Sequence, residues 1–356
     1  MFVTKLSFQC IILCLLQKAV RSCPVASVLY REGKEEALRE EKTLYGDRYF
    51  SNFYTNNTNR HDIIPIKQIR DVGGVTYKSA IALKLASVWQ QPAINIATEL
   101  AKYCQEIINT EGKKNVVDFR MEVIASGIIY VKITNSSIAN WLSNLTSVSL
   151  KSDRSKFLVD INLQSDETIN RTYAETGFLK EISSFEQQAH GNKPGFLVGL
   201  SKSRVNLFPI QYSHARCCSL LRMGERDGLI TLMLTTPENY SQYWLIQTPK
   251  AIPWQKINGE LQFLHHAEYE LIAEIASTLD CIYCVSITKK SINWVKVANS
   301  LSNAFQTFYR QCRIWGEVKV ETPELAKARL GLVLVTQSLL RFLLEEKLDT
   351  EAPLEL

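Results

Sequence analysis

The side chains with which this chain could do covalent, acid–base or metal chemistry are few and scattered. Its five histidines are His61, His190, His214, His265 and His266. Only His265 and His266 stand together, with Glu268 close by. Adjacent residues on a helix point about 100° apart, so the pair is a poor chelate for one ion. It reads as a surface or packing feature. Nine cysteines stand at Cys10, Cys14, Cys23, Cys104, Cys217, Cys218, Cys281, Cys284 and Cys312. The number is odd and several lie in apolar runs, which fits reduced, buried thiols in a cytoplasm better than a disulfide framework. Cys281-Ile-Tyr-Cys284 is a C-x-x-C pair without a second pair at zinc spacing, and it reads as structural. The sequence holds no Walker loop, no G-x-S-x-G elbow and no G-x-G-x-x-G. No metal and no cofactor is expected.

The elements that must position any site are clearest at the C-terminal end. Tyr269, Ile272, Ala273, Ile275, Ala276 and Leu279 recur at helical spacing, as do Trp294, Val297, Ala298, Leu301, Phe305, Phe308 and Cys312. Leu325, Ala328, Leu332, Val335, Leu339 and Phe342 make a third stripe. Thr322, Pro323 and Glu324 supply an N-cap, a first-turn proline and an early acid. Such stripes must bury against one another, which predicts a small helical bundle. Lys327, Arg329 and Arg341 are expected on its solvated face, and Glu345 and Glu346 in solvent.

Further upstream the pattern changes. Leu6 to Leu16 is apolar and follows Lys5, as in an export signal. Gln17, Lys18 and Arg21 crowd the place where small residues would mark cleavage, so an amphipathic helix packed on its own domain is preferred. The run is too short to span a membrane. Residues 31–62 are charged and then asparagine-rich, a tether or loop composition. Ile64, Ile66 and Ile69 suggest an extended segment. A helix is expected to begin at Pro92, with Ile96, Ala97, Leu100 and Tyr103 on one stripe. Residues 116–125 and 128–133 read as strands separated by Ser126-Gly127. A strand at 157–163, a helix at 171–185 and a turn at 192–195 are weaker readings, and 228–259 reads as an insertion or linker. The fold class expected is an α+β N-terminal domain followed by an all-α C-terminal helical bundle.

Three stretches carry a resemblance. Gln211-Tyr-Ser-His-Ala-Arg216, residues 297–312 and residues 324–341 resemble helices of the arginyl-tRNA synthetase family, whose anticodon-binding module is the DALR domain. Upstream, Tyr77 to Leu85, Pro92 to Leu100 and Ala125 to Tyr130 are similar, in the same order, to that family's N-terminal additional domain. The turn at Ala125-Ser126-Gly127 departs from the Gly-Pro-Gly usual there. The resemblance implies four segments: 1–62, a helix and polar segment; 63–147, the additional-like domain; 148–208, a linker or remnant; and 209–356, the anticodon-binding-like domain. It also implies a class I catalytic domain, which this sequence lacks. No His-x-Gly-His is present, and Ser201-Lys202-Ser203 echoes the family's lysine loop only superficially. About sixty residues separate the two similar halves, whereas a doubly wound catalytic domain needs well over about a hundred.

What the resemblance leaves is RNA recognition. Splayed anticodon bases are held by aromatic stacking, edge hydrogen bonds and cations along the backbone. The implied anticodon residues are Tyr212, Arg216, Arg222, Tyr309, Arg313 and Leu356, the last in place of a family methionine. Tyr212 equally admits a core position, Arg216 a carboxylate partner and Tyr309 packing at the bundle edge. Tyr130, Lys132 and Asn135 are the implied contacts to the tRNA elbow. The partners implied are tRNA, tRNA-Arg among them, and a full-length synthetase; no membrane is expected. The chain has 46% hydrophobic and 22% charged residues and a net charge of +5, which permits a polyanionic partner without demanding one. The leading expectation is a non-catalytic, cytoplasmic, synthetase-derived tRNA-binding protein. The alternatives are a residual arginine–tRNA ligase and a protein-interaction module that has lost RNA binding.

Overall fold

A computed structural model describes residues 6–23, 64–71, 73–111, 117–147, 206–235, 243–284 and 291–356. The readings made for 31–62, 157–163, 171–185 and 192–195 lie outside them, as do His61 and His190.

The apolar N-terminal run becomes helix α1, Phe8–Ser22, capped by the Ser7 hydroxyl, which accepts from the Cys10 N–H at 3.1 Å. Phe8, Ile12, Leu16 and Ala19 recur on one face and are fully buried. Strands β1 (Ile66–Asp71) and β2 (Gly74–Ser79) lead into helices α2 (Ile81–Trp89) and α3 (Ala93–Glu111). Strands β3 (Phe119–Val123) and β4 (Ile129–Ile133) then lead into α4 (Asn135–Ser147). The four strands form one antiparallel sheet in the order β1-β2-β4-β3.

Alternation along these strands sorts the two faces. Val75, Tyr77, Phe119, Ile129, Val131 and Ile133 point into the core. The register places Lys67, Lys78, Tyr130 and Glu122 in one cross-strand row of the opposite face, and Ile69, Thr76, Lys132 and Arg120 in the next. The turn between β3 and β4 seats on the first residue of α3. Gly127 has φ +80°, and a Cβ there would stand 2.7 Å from the Ala93 Cβ. Both the backbone and the space require glycine.

In the C-terminal part α5 (Phe208–Arg226), α6 (His266–Tyr283), α7 (Trp294–Gln311) and α9 (Pro323–Phe342) are the long helices, with a short α8 (Glu317–Glu321) before the last. The architecture is the expected one, mixed α/β followed by helices. The bundle is larger than its three apolar stripes, because α5 packs on α7 and α9. Of the two readings for 228–259, an insertion or a linker, the described residues there have the packing of an insertion. They hold a hairpin, β5 (Thr231–Thr235) with β6 (Tyr243–Thr248), and bury Trp244 and Trp254. A Cβ at Gly331 on α9 would stand 2.4 Å from the Trp254 ring, so glycine there admits the indole.

Two expectations about α9 are corrected. Arg329 and Arg341 are buried, each only 6% exposed. Arg329 Nε meets Glu268 Oε1 at 2.6 Å and Arg341 Nε meets Glu345 Oε2 at 3.6 Å, so carboxylates stand where solvent was expected. Glu345 and Glu346 are correspondingly half-buried. The Thr322 side chain does not cap α9. Its hydroxyl donates to the Val318 carbonyl at 3.2 Å and closes α8 instead.

The two parts share one continuous core. Asp280 on α6 is its polar hub. Its carboxylate accepts from the Ser7 hydroxyl at 2.6 Å, the Gln9 N–H at 3.1 Å and the Tyr77 hydroxyl at 2.5 Å. Gln68 Nε2 donates to the Ala273 carbonyl at 2.9 Å, and Trp141 Nε1 donates to the Leu6 carbonyl at 2.9 Å. The sheet part therefore docks directly on the bundle.

Candidate nucleic-acid interface

Helix α5 carries the sharpest of the sequence-derived sites. Pro209 stands in its first turn, where a missing N–H costs nothing. Phe208 and Tyr212 lie four residues apart and hence on one face. Their rings stack with centroids 6.3 Å apart and an interplanar angle of 29°. Both remain in solvent, Phe208 57% and Tyr212 43% exposed. A stacked aromatic pair left outside the core is a surface ready to take a further flat ring. Phe208 was missed in the sequence; its i, i+4 spacing to Tyr212 was the available signal.

One turn further, the Arg216 guanidinium lies 4.6 Å from the Tyr309 ring centroid and donates to the Tyr309 hydroxyl. Tyr309 stacks in turn on buried Phe305, with centroids 6.3 Å apart. Among the described residues Arg216 thus pairs with an aromatic face and not with a carboxylate. Tyr212, Arg216 and Tyr309 form one continuous patch across α5 and α7.

The other candidates have different partners. Arg222 is about 15 Å along α5 from Tyr212 at 1.5 Å per residue. It donates to the Leu354 carbonyl at 3.2 Å and pairs with Glu355 at 3.0 Å. Leu356, next after Glu355, is 66% exposed. Arg313 follows α7; its carbonyl accepts from Arg329, and its side chain is exposed.

Buried polar groups hold the segment around residue 353 to α5. His214 is buried, and the Pro353 carbonyl can only accept from its Nδ1, at 2.8 Å. That fixes the proton on Nδ1 and leaves Nε2 to accept from Gln337 Nε2 at 2.9 Å. Burial drives the imidazole pKa down to about 4, outweighing the Pro353 hydrogen bond. Gln211 Nε2 donates to the Glu351 carbonyl at 3.0 Å beside it.

The sheet offers a second surface. Tyr130 and Lys132 both point away from the core on β4. Lys67, Lys78 and Arg120 share that face with the acid Glu122, a mainly basic cluster that the alternation of these strands encoded but that sequence reading did not assemble. Lys132 Nζ lies 3.1 Å from Asp71 Oδ2, which offsets part of its charge. Asn135 opens α4 just beyond the strand.

His265 and His266 have local tasks. His265 Nδ1 accepts from the Ala267 N–H at 3.1 Å and caps α6, and Glu268 completes the capping box. His266 Nδ1 lies 3.6 Å from Glu270. Among the described residues, no group of three or more His, Cys, Asp or Glu is placed to hold a metal, and no helix is long and apolar enough to cross a membrane.

Comparison with known proteins addresses this same helical part. Residues 210–346 match the DALR anticodon binding domain family. Over those residues the chain is similar to a DALR anticodon binding domain. Its relatives include the arginine–tRNA ligase of Moorella thermoacetica, 31% identical over 135 residues, which are 38% of this chain and 20% of that protein. The arginine–tRNA ligase of Listeria monocytogenes is 27% identical over 177 residues, 49% of this chain and 27% of the relative. That of Dehalococcoides mccartyi is 30% identical over 128 residues, 36% of this chain and 18% of the relative. The chain thus spans only about a quarter or less of the length of these ligases. No solved structure matches. The matched stretch contributes every residue of the patch except Phe208, which lies just before its limits.

Proposed function

We propose that this protein binds tRNA, with tRNA-Arg its preferred form, and does so without aminoacylating it. The observation that carries the reading is the exposed Phe208–Tyr212 stack, backed by Arg216 and Tyr309, at the edge of the stretch similar to a DALR anticodon binding domain. Unpaired bases of an anticodon loop offer flat rings of the right size, and a guanidinium seated on a tyrosine extends the platform with a cation. Similarity to arginine–tRNA ligases favours tRNA-Arg over other tRNAs. The basic face around Tyr130 and Lys132 is the candidate for a second contact, at the elbow. The absence of catalysis rests on chain length between the two halves, since residues 148–208 are too few for a domain on the order of 100 residues or more. The activity is placed in the cytoplasm, where tRNA is used, with a full-length synthetase as a further candidate partner.

The test is binding of the purified chain to tRNA-Arg and to a non-cognate tRNA across a salt series. Preference for tRNA-Arg is expected, with affinity falling as salt rises. Tyr212→Ala is expected to cost about 1–3 kcal/mol, on the order of tenfold or more in Kd. Equal, weak binding to both tRNAs that vanishes at physiological salt would abandon this reading for the protein-interaction one. That second reading draws on Arg222 and Lys132, both already tied to carboxylates of the chain. Arginine-dependent pyrophosphate exchange would restore the ligase.

A further inference from the structure

The C-x-x-C pair at Cys281 and Cys284 takes no part in the RNA-facing patch, and neither does Cys10. The fold brings Cys10 and Cys284 together. Cys10 stands in the first turn of α1, and Cys284 is the residue that closes α6. The Ser7 hydroxyl touches both, accepting from the Cys10 N–H at 3.1 Å and lying 3.3 Å from the Cys284 sulfur. Each thiol is the largest single influence on the titration of the other. Both are buried, each 5% exposed.

Local spacing removes one competitor. Residues three or four apart on a helix hold their Cβ atoms about 5–6 Å apart, whereas a disulfide needs about 3.5–4.5 Å. Cys10 with Cys14 falls outside that range while α1 persists. Cys281 is the rival partner on α6, and the experiment below distinguishes it from Cys10, more than 270 positions away along the chain.

We propose that Cys10 and Cys284 form a reversible disulfide, a covalent latch between α1 and α6, when the protein meets a low-molecular-weight disulfide such as oxidised glutathione. Cys10 is the attacking group. The neighbouring Cys284 side chain and then Ser7 lower its pKa, against burial and the nearby Asp280 carboxylate, and a helix N-terminus favours a thiolate. The Cys10 thiolate bonds to one sulfur of the oxidant and breaks the S–S bond, and the thiolate that leaves takes up the proton Cys10 released. Cys284, whose thiol is held protonated by Cys10 and by burial, then gives up its proton and attacks the Cys10 sulfur of the mixed disulfide. The second small thiol leaves with that proton. Two protein thiols become one disulfide, and one small disulfide becomes two thiols. Because both sulfurs are buried, the exchange runs through transient release of α1. In a reducing compartment the latch stays open, so it responds to redox poise.

The experiment incubates the full chain with oxidised glutathione at mildly alkaline pH and maps its peptides without reduction. A peptide joining Cys10 to Cys284 is expected, removed by dithiothreitol. The closed loop is long, so Tm is expected to rise by about 5 °C or more on oxidation. That rise should be absent from Cys284→Ser and from Cys10→Ser. The map of the wild-type chain decides the matter even where a variant folds poorly. Glutathione confined to exposed Cys14, or a Cys281–Cys284 bridge in place of the long-range one, would overturn the proposal. None of these readouts involves RNA, so the latch and the proposed tRNA binding stand or fall separately.

Discussion

Asp280 and His214 are both buried and both titrate away from their ordinary range, yet they pull stability in opposite directions. Burial raises the Asp280 carboxyl from 3.8 to about 6, in spite of the hydrogen bonds from Ser7 and Tyr77. Between those values the folded chain holds a proton that the unfolded chain has released. Its contribution is therefore present below pH 3.8 and lost as pH rises through about 6. His214 is the reverse case. Its folded pKa falls from 6.5 to about 4, so the unfolded chain takes a proton that the fold refuses. That contribution is present above 6.5 and lost as pH falls toward 4. Each amounts to something on the order of 3 kcal/mol, and over pH 4–6 the two slopes oppose one another. Asp280→Asn keeps a polar group at the hub and deletes one slope. Urea unfolding between pH 6.5 and 4 should then show stability falling more steeply with acid in the variant than in the wild type. Parallel pH profiles would rule out Asp280 as the source.

At the scale of elements, Glu268 joins three helices through one side chain. Its Oε2 accepts from the Leu264 and His265 N–H groups, each at 2.7 Å, and so begins α6. Its Oε1 holds Arg329 on α9, and Arg329 reaches on to the carbonyl of Arg313 behind α7. The pair is sealed from solvent, so removing the charge leaves a guanidinium without its counterion. Glu268→Gln is expected to cost about 3 kcal/mol, read as a lower midpoint in urea at unchanged slope. A loss under about 1 kcal/mol, the size of an exposed pair, would contradict the burial argument. This cluster also shows what the sequence could and could not reveal. Helices α6, α7 and α9 were legible because their apolar residues recur at helical spacing, and β3 and β4 because they are short apolar runs parted by Ser126-Gly127. Arg329 read as solvated because a cation declares its exposure only through a partner, and Glu268 lies 61 positions away. Helix α5 hid its buried face for a similar reason. Ser213 and His214 belong to that face but look like surface until Ser302, Pro353 and Gln337 arrive to satisfy them. Of the patch proposed to bind RNA, Tyr212 and Arg216 were visible from resemblance and Tyr309 from its place on the bundle, while their assembly into one platform depended on α5 crossing α7.

For the molecule as a whole, the decisive feature is that the sheet part and the helical part are not beads on a string. Lengths and motifs gave no reason for them to touch. Yet the inward face of β2 meets α6 and the tip of Tyr77 finishes the Asp280 hub, so neither part can expose that surface without losing its apolar burial and the hydrogen bond across the junction. Loss of the junction should therefore be felt on both sides. Tyr77→Phe deletes one hydroxyl, with the ring left in place, and is expected to cost about 2 kcal/mol. If the core is continuous, hydrogen exchange should accelerate to a similar degree in β2 and β4 and in α6 and α9, because all open in the same global event. Exchange that quickens in the sheet alone, with the helices unchanged, would mean two units that merely lean on each other. Shared opening would give the proposed RNA-binding role a physical constraint. The aromatic patch on α5 and the basic face of the sheet would then keep a fixed separation, and an RNA touching both would have to span it.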